Sequence, residues 1–413
     1  MRPPPTEEVH AMRRRWLMLA LGTAAQTAAC AFVYGIPYLA AELRDSGHLS
    51  LPRIGLLIAC PTVGLVAALV AWGALADRHG ERIVIATGLG GAGALLAVTA
   101  AVTAAGGGTV ALGALLFLAG AAAASVYSAS GRLVMGWFTA RERGLAMGIR
   151  QTSTPLGMGV AALTMPPLAA AYGIGGAFGF LATVCALIAA AVAVLAADPA
   201  RPEAAGAAGA AAEPATNPYR GSSTLWRIHG AGALLVVPQF TAGAFALVLL
   251  VDTRGWTAVD AGRLIAVAQV LGAASRIAAG RWSDRVGSRL LPMRQLAVVT
   301  AAVVAVAAFT AAFPSPLTAA ALVLSVGITA STNGLSFTAT AERAGPAWSG
   351  RALGVHNTGQ NFTAAVVPPL SAAAISATGY WPALAAAAAV ACGAAMVVPV
   401  DSPRRRAVVS SVP

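Results

Sequence analysis

Long apolar runs separated by short polar segments dominate this sequence. A helix needs about 20 mostly apolar residues to cross the hydrocarbon core of a bilayer. Runs of that size lie near residues 16–40, 53–76, 83–105, 109–138, 143–170, 174–197, 228–251, 258–280, 292–313, 315–340, 350–376 and 380–400. The pattern therefore predicts an all-α membrane protein with twelve transmembrane helices.

The segment between the sixth and seventh runs has a different composition. Residues 198–224 are rich in Ala, Gly and Pro and have no amphipathic period, which predicts a flexible cytoplasmic linker. It separates an N-terminal six-helix bundle, residues 1–197, from a C-terminal six-helix bundle, residues 225–413. The first apolar run is longer than that of a cleaved signal peptide, so we expect it to stay as an anchor.

The composition excludes a soluble globule. Hydrophobic residues make up 58% of the chain, charged residues only 10%, and the mean hydropathy is +0.74. A soluble domain carries about 25% charged residues, because water must wet its surface. The net charge of +12 does not indicate nucleic-acid binding, because the basic residues form short clusters between apolar runs.

The distribution of arginine predicts the orientation in the membrane. All 27 basic residues are arginines; three lie deep within the runs, and the others lie in the polar segments or at the ends of runs, four on one side and 20 on the other. The minority set is Arg44, Arg53, Arg254 and Arg263. Because cytoplasmic loops are enriched in Lys and Arg, we expect a multi-pass inner (cytoplasmic) membrane protein with both termini cytoplasmic.

Residues that would support catalysis or metal binding are missing from the sequence pattern. The four cysteines, Cys30, Cys60, Cys185 and Cys392, fall inside apolar runs and lack the spacing of metal ligands. Paired carboxylates, a nucleophile with its base and a phosphate-binding loop are also lacking. We therefore expect no enzyme activity, no metal, no cofactor and no coupling to ATP.

A short motif follows both the second and the eighth run. Its residues are Gly73, Asp77, Arg78, Gly80 and Arg82 in the first copy, and Gly280, Asp284, Arg285, Gly287 and Arg289 in the second, 207 residues later. A further pair, Gly148 and Gly354, lies 206 residues apart in the fifth and eleventh runs. Glycine permits close approach of helices and tight turns, and the aspartate can cap a neighbouring helix N-terminus.

These contacts predict a gate on the cytoplasmic side. Arg132 is expected to pair with Asp77 or Glu142 as an inner gate, and snorkelling to the interface is the alternative. The expected gating residues are Gly73, Asp77, Arg78, Gly80, Arg82, Arg132, Glu142, Arg143, Gly280, Asp284, Arg285, Gly287 and Arg289.

The motif, present twice in a chain of six plus six runs, resembles the signature of the major facilitator superfamily. Residues 137–151, followed by Pro155-Leu-Gly157, resemble a bacterial branch of it, and the resemblance covers residues 16–400. It implies two pseudo-symmetric six-helix bundles, a substrate bound near the bilayer midplane, and secondary active transport by alternating access. Leu116 stands four residues before Gly120, where many members carry an arginine, which weakens assignment to the drug/proton antiporters.

The charges within the predicted helices favour an anionic substrate. They are Arg132, Arg150 and Arg276, joined by His356, whereas none of the 15 acids lies mid-span. A charge at the bilayer centre costs about 2.5–3.5 kcal/mol, so it should face a cavity or a partner. We therefore expect an electropositive cavity.

Three residues are the main candidates for substrate contact. Arg276, four residues before Gly280, resembles the anion-binding arginine of nitrate and monocarboxylate porters; a structural arginine tied to Asp284 is the alternative. Arg150 and His356 occupy matched positions, which fits either two cavity residues or polar contacts between helices. The predicted substrate-binding residues are Arg276, Arg150, His356, Gln151, Asn357, Gln360, Tyr34, Tyr127 and Gln269.

The sequence thus predicts a monomeric secondary transporter for a small organic or inorganic anion. His356 can accept a proton, which would allow proton–anion symport without a carboxylate. The expected partners are the small-molecule substrate, protons and the lipid bilayer, and not nucleic acid. Two alternatives stay open: an exporter of uncharged or amphipathic compounds, and a membrane receptor that keeps the fold without transporting.

Overall fold

The computed structural model describes residues 6–39, 42–43, 51–199, 217–256 and 258–400, and within these ranges it is helical with no β-strand. The predicted linker, 198–224, is described only at its two ends, and both chain termini and Arg44 lie outside the described residues. In chain order the helices are α1 (Thr6–Val33), α2 (Leu51–His79), α3 (Glu81–Ala104), α4 (Thr109–Trp137), α5 (Arg143–Gln151), α6 (Ser153–Leu195), α7 (Thr224–Arg254), α8 (Ala258–Val286), α9 (Leu290–Ala312), α10 (Thr318–Thr329), α11 (Asn333–Ala344), α12 (Ser349–Thr378) and α13 (Tyr380–Val397).

These helices account for all twelve predicted runs. In the described part of the chain, 10 segments are long and apolar enough to cross a membrane. One of them, Arg143–Leu195, has 53 residues and contains two spans, because Gly173 interrupts it with a left-handed φ of 71°. The twelfth span is α12, 30 residues long, whose polar residues include His356, Asn357, Gln360 and Asn361.

Two runs are less regular than the sequence suggested. The first ends as an α-helix at Val33, and a 3-10 turn, Ile36–Leu39, follows Gly35, so the α-helix does not continue through Gly35-Ile-Pro37. The tenth run is two helices rather than one, because α10 ends at Thr329 and α11 begins at Asn333. Pro238, by contrast, lies inside the continuous helix α7.

The exposed surface fits a lipid environment. Val110 is 88% exposed, Leu163 79% and Val194 75%. Large apolar side chains on many helices share this exposure, whereas a soluble protein rarely exposes contiguous apolar surface on this scale. The helices therefore have an apolar exterior, as the composition predicted.

The chain forms two compact units. The first comprises Met1–Thr139, Ile149–Thr216 and Ala344–Asn361. In it α2 packs on α4, α3 packs on both α4 and α6, and α1 packs on α6 and α4. Glycines permit the closest approaches: a Cβ on Gly64 would meet the backbone of Phe117, and one on Gly120 that of Pro61.

The second unit comprises Ala140–Gly148, Asn217–Arg343 and Phe362–Pro413. In it α8 packs on α10, α9 packs on both α10 and α13, and α7 packs on α13 and α10. This is the same order of neighbours as in the first unit, which agrees with the repeated motif. The boundary between bundles that the sequence placed in the linker stays a prediction, because 140–148 and 344–361 each pack with the unit of the other half.

Candidate functional site

The first copy of the repeated motif caps the N-terminus of α12, within the first unit. Asp77 accepts hydrogen bonds from the backbone N–H of Gly350 (3.1 Å) and of Arg351 (3.3 Å). A Cβ on Gly73 would collide with the backbone of Gly350, so the glycine is required for this approach. Gly73 and Asp77 lie one turn apart on α2 and act on the same helix end. We call Gly73, Asp77, Gly350 and Arg351 the first capping site.

Arg132 forms ion pairs with Asp77 and with a second acid, Glu81. Its guanidinium donates to Asp77 Oδ1 at 2.5 Å and also contacts the carboxylate of Glu81 and the backbone oxygen of Ala76. The side chains of Asp77 and Glu81 are only 5% and 3% exposed. The predicted ion pair between Arg132 and Asp77 is therefore present, and Glu81 is a partner that the sequence analysis missed.

The second copy repeats this arrangement within the second unit. Asp284 accepts hydrogen bonds from the N–H of Gly144 (2.8 Å) and of Leu145 (2.7 Å), at the N-terminus of α5. A Cβ on Gly280 would collide with the backbone of Gly144. Gly280, Asp284, Gly144 and Leu145 form the second capping site. In both copies the aspartate faces the uncompensated amides and the positive end of a helix dipole.

The arginine that pairs with Asp284 in the second capping site is not the counterpart of Arg132, which pairs with Asp77 in the first. Arg289 donates to Asp284 at 2.5 Å and to Ser283 Oγ at 2.7 Å, and it lies 3.4 Å from Glu342 Oε1. Arg143 lies 3.9 Å from the same carboxylate oxygen. Arg82, the counterpart of Arg289, does not occupy this role in the first unit.

The other predicted gating residues lie around the two capping sites. Arg82 donates to Ala193 O at 2.9 Å, and its N–H donates to Asp198 at 2.8 Å. Gly80 and Gly287 have left-handed φ values of 89° and 66° and turn the chain after α2 and α8. The remaining side chains are exposed or partly buried; they are Arg78, Glu142 and Arg285.

The first unit contains a buried polar cluster around Arg150, which is 1% exposed. The guanidinium donates to Ser130 Oγ (2.7 Å from Nη2 and 3.1 Å from Nε), to Gln26 Oε1 (3.0 Å) and to Gln151 Oε1 (3.1 Å). Residues of α1, α4 and α5 thus hold one planar cation. Ser130 and Gln26 also contact each other at 3.1 Å, which fixes both acceptors.

Hydrogen bonds extend the cluster towards α12. Gln26 contacts the thiol of Cys30, and this thiol lies 3.3 Å from the hydroxyl of Tyr127 and 3.9 Å from that of Thr154. We call Gln26, Cys30, Tyr127, Ser130, Arg150, Gln151 and Thr154 the Arg150 cluster. Asn357 donates to Tyr127 O at 2.9 Å, and Tyr34 donates to Asn361 Oδ1 at 2.8 Å.

The structure brings together many of the predicted substrate-binding residues. Tyr34, Tyr127, Arg150, Gln151 and Asn357 belong to this hydrogen-bonded region of the first unit. His356 is 1% exposed in the same part of α12. The amide nitrogen of Gln360, 9% exposed, has no hydrogen-bond partner among the described residues.

Two predicted residues lie elsewhere, both on α8 in the second unit. Arg276 is 5% exposed, and its backbone oxygen would lie 2.6 Å from a Cβ on Gly148. Gln269 is exposed. Gly354, the counterpart of Gly148 in the repeat, approaches the backbone of Leu69 in the same manner within the first unit. Gly148 and Gly354 therefore make equivalent close contacts in the two units.

Sequence reasoning predicted Tyr127 and Gln151 but missed the other neutral members of the Arg150 cluster, which are Gln26, Cys30, Ser130 and Thr154. Gln26, Cys30 and Tyr34 are spaced four residues apart on one face of the first helix, which is a usable signal. Within the described ranges, no group of three or more His, Cys, Asp and Glu side chains lies close enough to hold a metal ion. The site thus offers hydrogen-bond donors, acceptors and one buried cation.

Comparison with known proteins gives the family. A sequence model described as Major Facilitator Superfamily matches residues 16–368. The chain is 41% identical over 366 residues to the uncharacterized MFS-type transporter Rv2994 of Mycobacterium tuberculosis, covering 89% of this chain and 80% of that protein.

Solved structures show the same fold. The E. coli fucose:proton symporter FucP superposes with a TM-score of 0.71 at 14% identity, over 93% of this chain and 98% of its own. The human organic anion transporter MFSD10 does so with a TM-score of 0.68 at 16% identity, over 96% and 100%. On the family match, the close mycobacterial relative and the twelve-span fold, this multi-pass membrane protein belongs to the Major Facilitator Superfamily.

Proposed function

We propose that this secondary transporter works by alternating access on a small organic or inorganic anion, and that the Arg150 cluster is its substrate site. Members of the superfamily handle small-molecule substrates. Their fold does not select the substrate, because solved relatives carry fucose in one case and organic anions in another. The residues of the site must therefore decide the substrate class.

The observation that carries the proposal is the burial of a guanidinium among neutral oxygen atoms. Arg150 donates to Ser130, Gln26 and Gln151, none of which carries a charge. The segments that build this region, residues 12–33, 109–137, 143–195 and 349–378, contain no Asp or Glu. An anionic substrate that reaches this guanidinium would add a charge-assisted hydrogen bond to the contacts with neutral oxygen atoms, and such bonds are about twice as strong as neutral ones.

Arginine is well suited to this role. Its planar fork can bind a carboxylate or nitrate through two parallel hydrogen bonds, which adds directional specificity. The bonds to Ser130 and Gln26 would hold the fork in place. Hydroxyl and amide groups of Tyr34, Tyr127 and Gln360 would contact the rest of the substrate.

The proposal also assigns roles to the other predicted site residues. Arg276 and Gln269 of the second unit would contact the substrate at another stage of the cycle, and His356 would carry a coupled proton. The two capping sites would act as latches, since each joins a motif loop to a helix N-terminus from the other half of the sequence. The arginine distribution supports a position of these loops and both termini on the cytoplasmic side of the inner membrane.

The test compares matched acids and amides on the purified protein. Small monocarboxylates, dicarboxylates, sulfonates and nitrate are screened by thermal shift, each carboxylate beside its uncharged amide, because a ligand that prefers the folded state raises apparent stability. We expect an acid to stabilise the protein and its amide to have no effect. Uptake of that acid into reconstituted vesicles then establishes transport.

Variants of Arg150 identify the site. Arg150→Gln should weaken binding about 100-fold, since hydrogen bonds to charged groups contribute about 1.5–3 kcal/mol each. Arg150→Lys keeps the charge but loses the fork, so we expect about a tenfold loss. Arg53→Gln removes the same charge from an exposed position of the first unit and is the control. Stabilisation by uncharged compounds, unchanged in Arg150→Gln, would refute the anion proposal and support an exporter of neutral compounds.

A further inference from the structure

The tenth span contains a break that the transport proposal does not use. Between α10 and α11 the chain reads Thr329-Ala-Ser-Thr-Asn-Gly334, and residues 330–332 form a turn. Ser, Thr and Asn side chains compete with the helix for backbone hydrogen bonds, and glycine lowers helix propensity further, so this run favours an interruption. In a membrane, non-helical backbone needs partners from neighbouring helices or from water, since lipid offers none.

The neighbouring helix α8 supplies one of these partners. The N–H of Ser331 bonds to Ile328 O at 2.9 Å, three residues back instead of the four of an α-helix. Gly327 O, which lies four residues back, accepts the hydroxyl of Ser275 of α8 at 2.7 Å. The last turn of α10 is thus tied to a second helix, which holds the break in place.

The start of α11 is positioned from α7. Asn333, the first residue of α11, donates from Nδ2 to Gln239 Oε1 at 3.2 Å. Gln239 follows Pro238, which has no N–H, so α7 also lacks one backbone hydrogen bond next to the break. Gln239 and Asn333 are both partly exposed, so the protein does not fully cover the start of α11.

Ser331 places an unused polar group in the break. Its side chain is 2% exposed, and its hydroxyl has no hydrogen-bond partner among the described residues. Most buried hydroxyls in folded proteins have a partner, because an unpaired one lowers stability. Ser331 lies two residues before the first residue of α11, so this hydroxyl and the N-terminal N–H groups of α11 lie close together. The break therefore offers several hydrogen-bond donors to one ligand.

The charges around the break favour an anion. α11 has 12 residues, and the N-terminus of a helix carries about half a positive charge on N–H groups that lack acceptors within the helix. Residues 228–251, 261–283 and 290–341 contain no Asp or Glu, so acids of these segments do not compete for the helix end. Arg276, next to Ser275 on α8, adds a positive charge to the neighbouring helix. Anions bind readily at such helix N-termini.

We propose that the break between α10 and α11 is an anion-binding subsite of the second unit, which takes a carboxylate or nitrate group. The hydroxyl of Ser331 and the first N–H groups of α11 would donate to its oxygen atoms, and Gln239 would contact the rest of the ligand. The inference rests on the proposed function for the ligand being a transported anion, whereas binding at the break requires neither Arg150 nor transport. Each unit would then contain one anion site, built from a guanidinium in the first and from a helix N-terminus in the second.

The experiment measures binding at the break without the site of the first unit. Acetate, succinate and nitrate are titrated against the full chain carrying Arg150→Gln in a neutral detergent, and the thermal midpoint is recorded. Chloride at matched ionic strength and acetamide, an uncharged analogue, are the ligand controls. Ser331→Ala removes the unpaired hydroxyl, and Asn333→Asp places a fixed negative charge at the start of α11. Ser325→Ala is the matched control, because it removes a buried hydroxyl of α10 that bonds to Ala321 O outside the break.

We expect at least one of the three anions, but neither chloride nor acetamide, to raise the midpoint. Its affinity should be about tenfold lower in Ser331→Ala, undetectable in Asn333→Asp and unchanged in Ser325→Ala. Equal effects of anion and chloride, or equal affinities in Ser331→Ala and Ser325→Ala, would overturn the proposal.

Hydrogen–deuterium exchange of the unsubstituted protein does not depend on the folding of a variant. The bound anion should slow exchange in a peptide that covers residues 330–338. Slower exchange there alone supports the subsite and contradicts the proposed role of Arg150. Slower exchange only in a peptide that covers residues 149–157 overturns the subsite and leaves the proposed function intact. Slower exchange in both peptides supports both sites, and a change in neither contradicts both.

Discussion

Removal of the Asp77 charge should expose the backbone amides of Gly350 and Arg351 to hydrogen exchange. The amides of Gly144 and Leu145, which Asp284 caps in the second unit, should stay protected. Gly350 and Arg351 are the second and third residues of α12, so their N–H groups have no acceptor within the helix. Asp77 supplies both acceptors. Asp77→Asn keeps the shape of the side chain and one oxygen, and it removes the charge and the second acceptor.

The expected magnitude follows from these two hydrogen bonds. One charged bond is lost, which contributes about 2 kcal/mol, and the other becomes neutral, which weakens it by about 1 kcal/mol. The lost protection is therefore about 2–3 kcal/mol, or roughly a 30- to 150-fold faster exchange of these amides. Arg132 keeps its contact with Glu81, so we expect no wider unfolding.

Hydrogen–deuterium exchange measured by mass spectrometry tests this prediction by comparing the exchange rates of two peptides. A peptide that covers residues 346–354 should exchange faster in Asp77→Asn, and one that covers residues 143–150 should not change. Asp284→Asn should reverse the pattern, because Asp284 caps Gly144 and Leu145. The reasoning fails if neither peptide responds, or if both respond equally in either variant.

Three further changes test other parts of the structure. Gly280→Ala should destabilise the protein by more than about 2 kcal/mol, because the added Cβ would collide with the backbone of Gly144. Gly243→Ala on α7 is the control: a Cβ there has nothing within 4 Å, so the change should be neutral or stabilising by about 0.5–1 kcal/mol. Equal melting midpoints of the two variants would contradict this reasoning. Arg132→Gln leaves buried Glu81 without its ion-pair partner and leaves Asp77 only Arg351, 3.5 Å away, so it should cost about 3–5 kcal/mol. A loss below about 1 kcal/mol, measured by unfolding in detergent, would refute the role of the ion pair. Arg254→Ala removes the side chain that donates to Thr310 O and Phe313 O at 2.7 Å, so proteolysis between α9 and α10 should become faster than in Arg263→Ala.

The capping sites could be predicted because they depend on backbone geometry. A glycine and an aspartate four residues apart lie on one face of a helix, so a motif with that spacing can place its carboxylate against whatever helix end the glycine admits. Gly73 with Asp77, and Gly280 with Asp284, behave in this way. The number of spans was predictable for the same reason, since the bilayer fixes the length of an apolar run.

The Arg150 cluster could be predicted only in part, because its other members are neutral. The cost of a buried charge draws attention to Arg150 in the sequence. Ser130 gives no such signal: its hydroxyl also bonds to Val126 O one turn earlier, as a serine in any membrane helix can do. Which serines face a charge depends on helix rotation and packing, and the sequence of one chain does not specify these.

The partners of the motif aspartates show why internal repetition predicts backbone contacts better than side-chain contacts. Arg132 stands 55 residues after Asp77, and the same count from Asp284 reaches Ala339. With a small residue there, Asp284 takes its cation from Arg289, whose counterpart Arg82 instead binds Ala193 O. A small residue at position 339 cannot supply the cation that Arg132 supplies in the first unit, so the backbone cap repeats between the two units whereas the ion pair beside it does not.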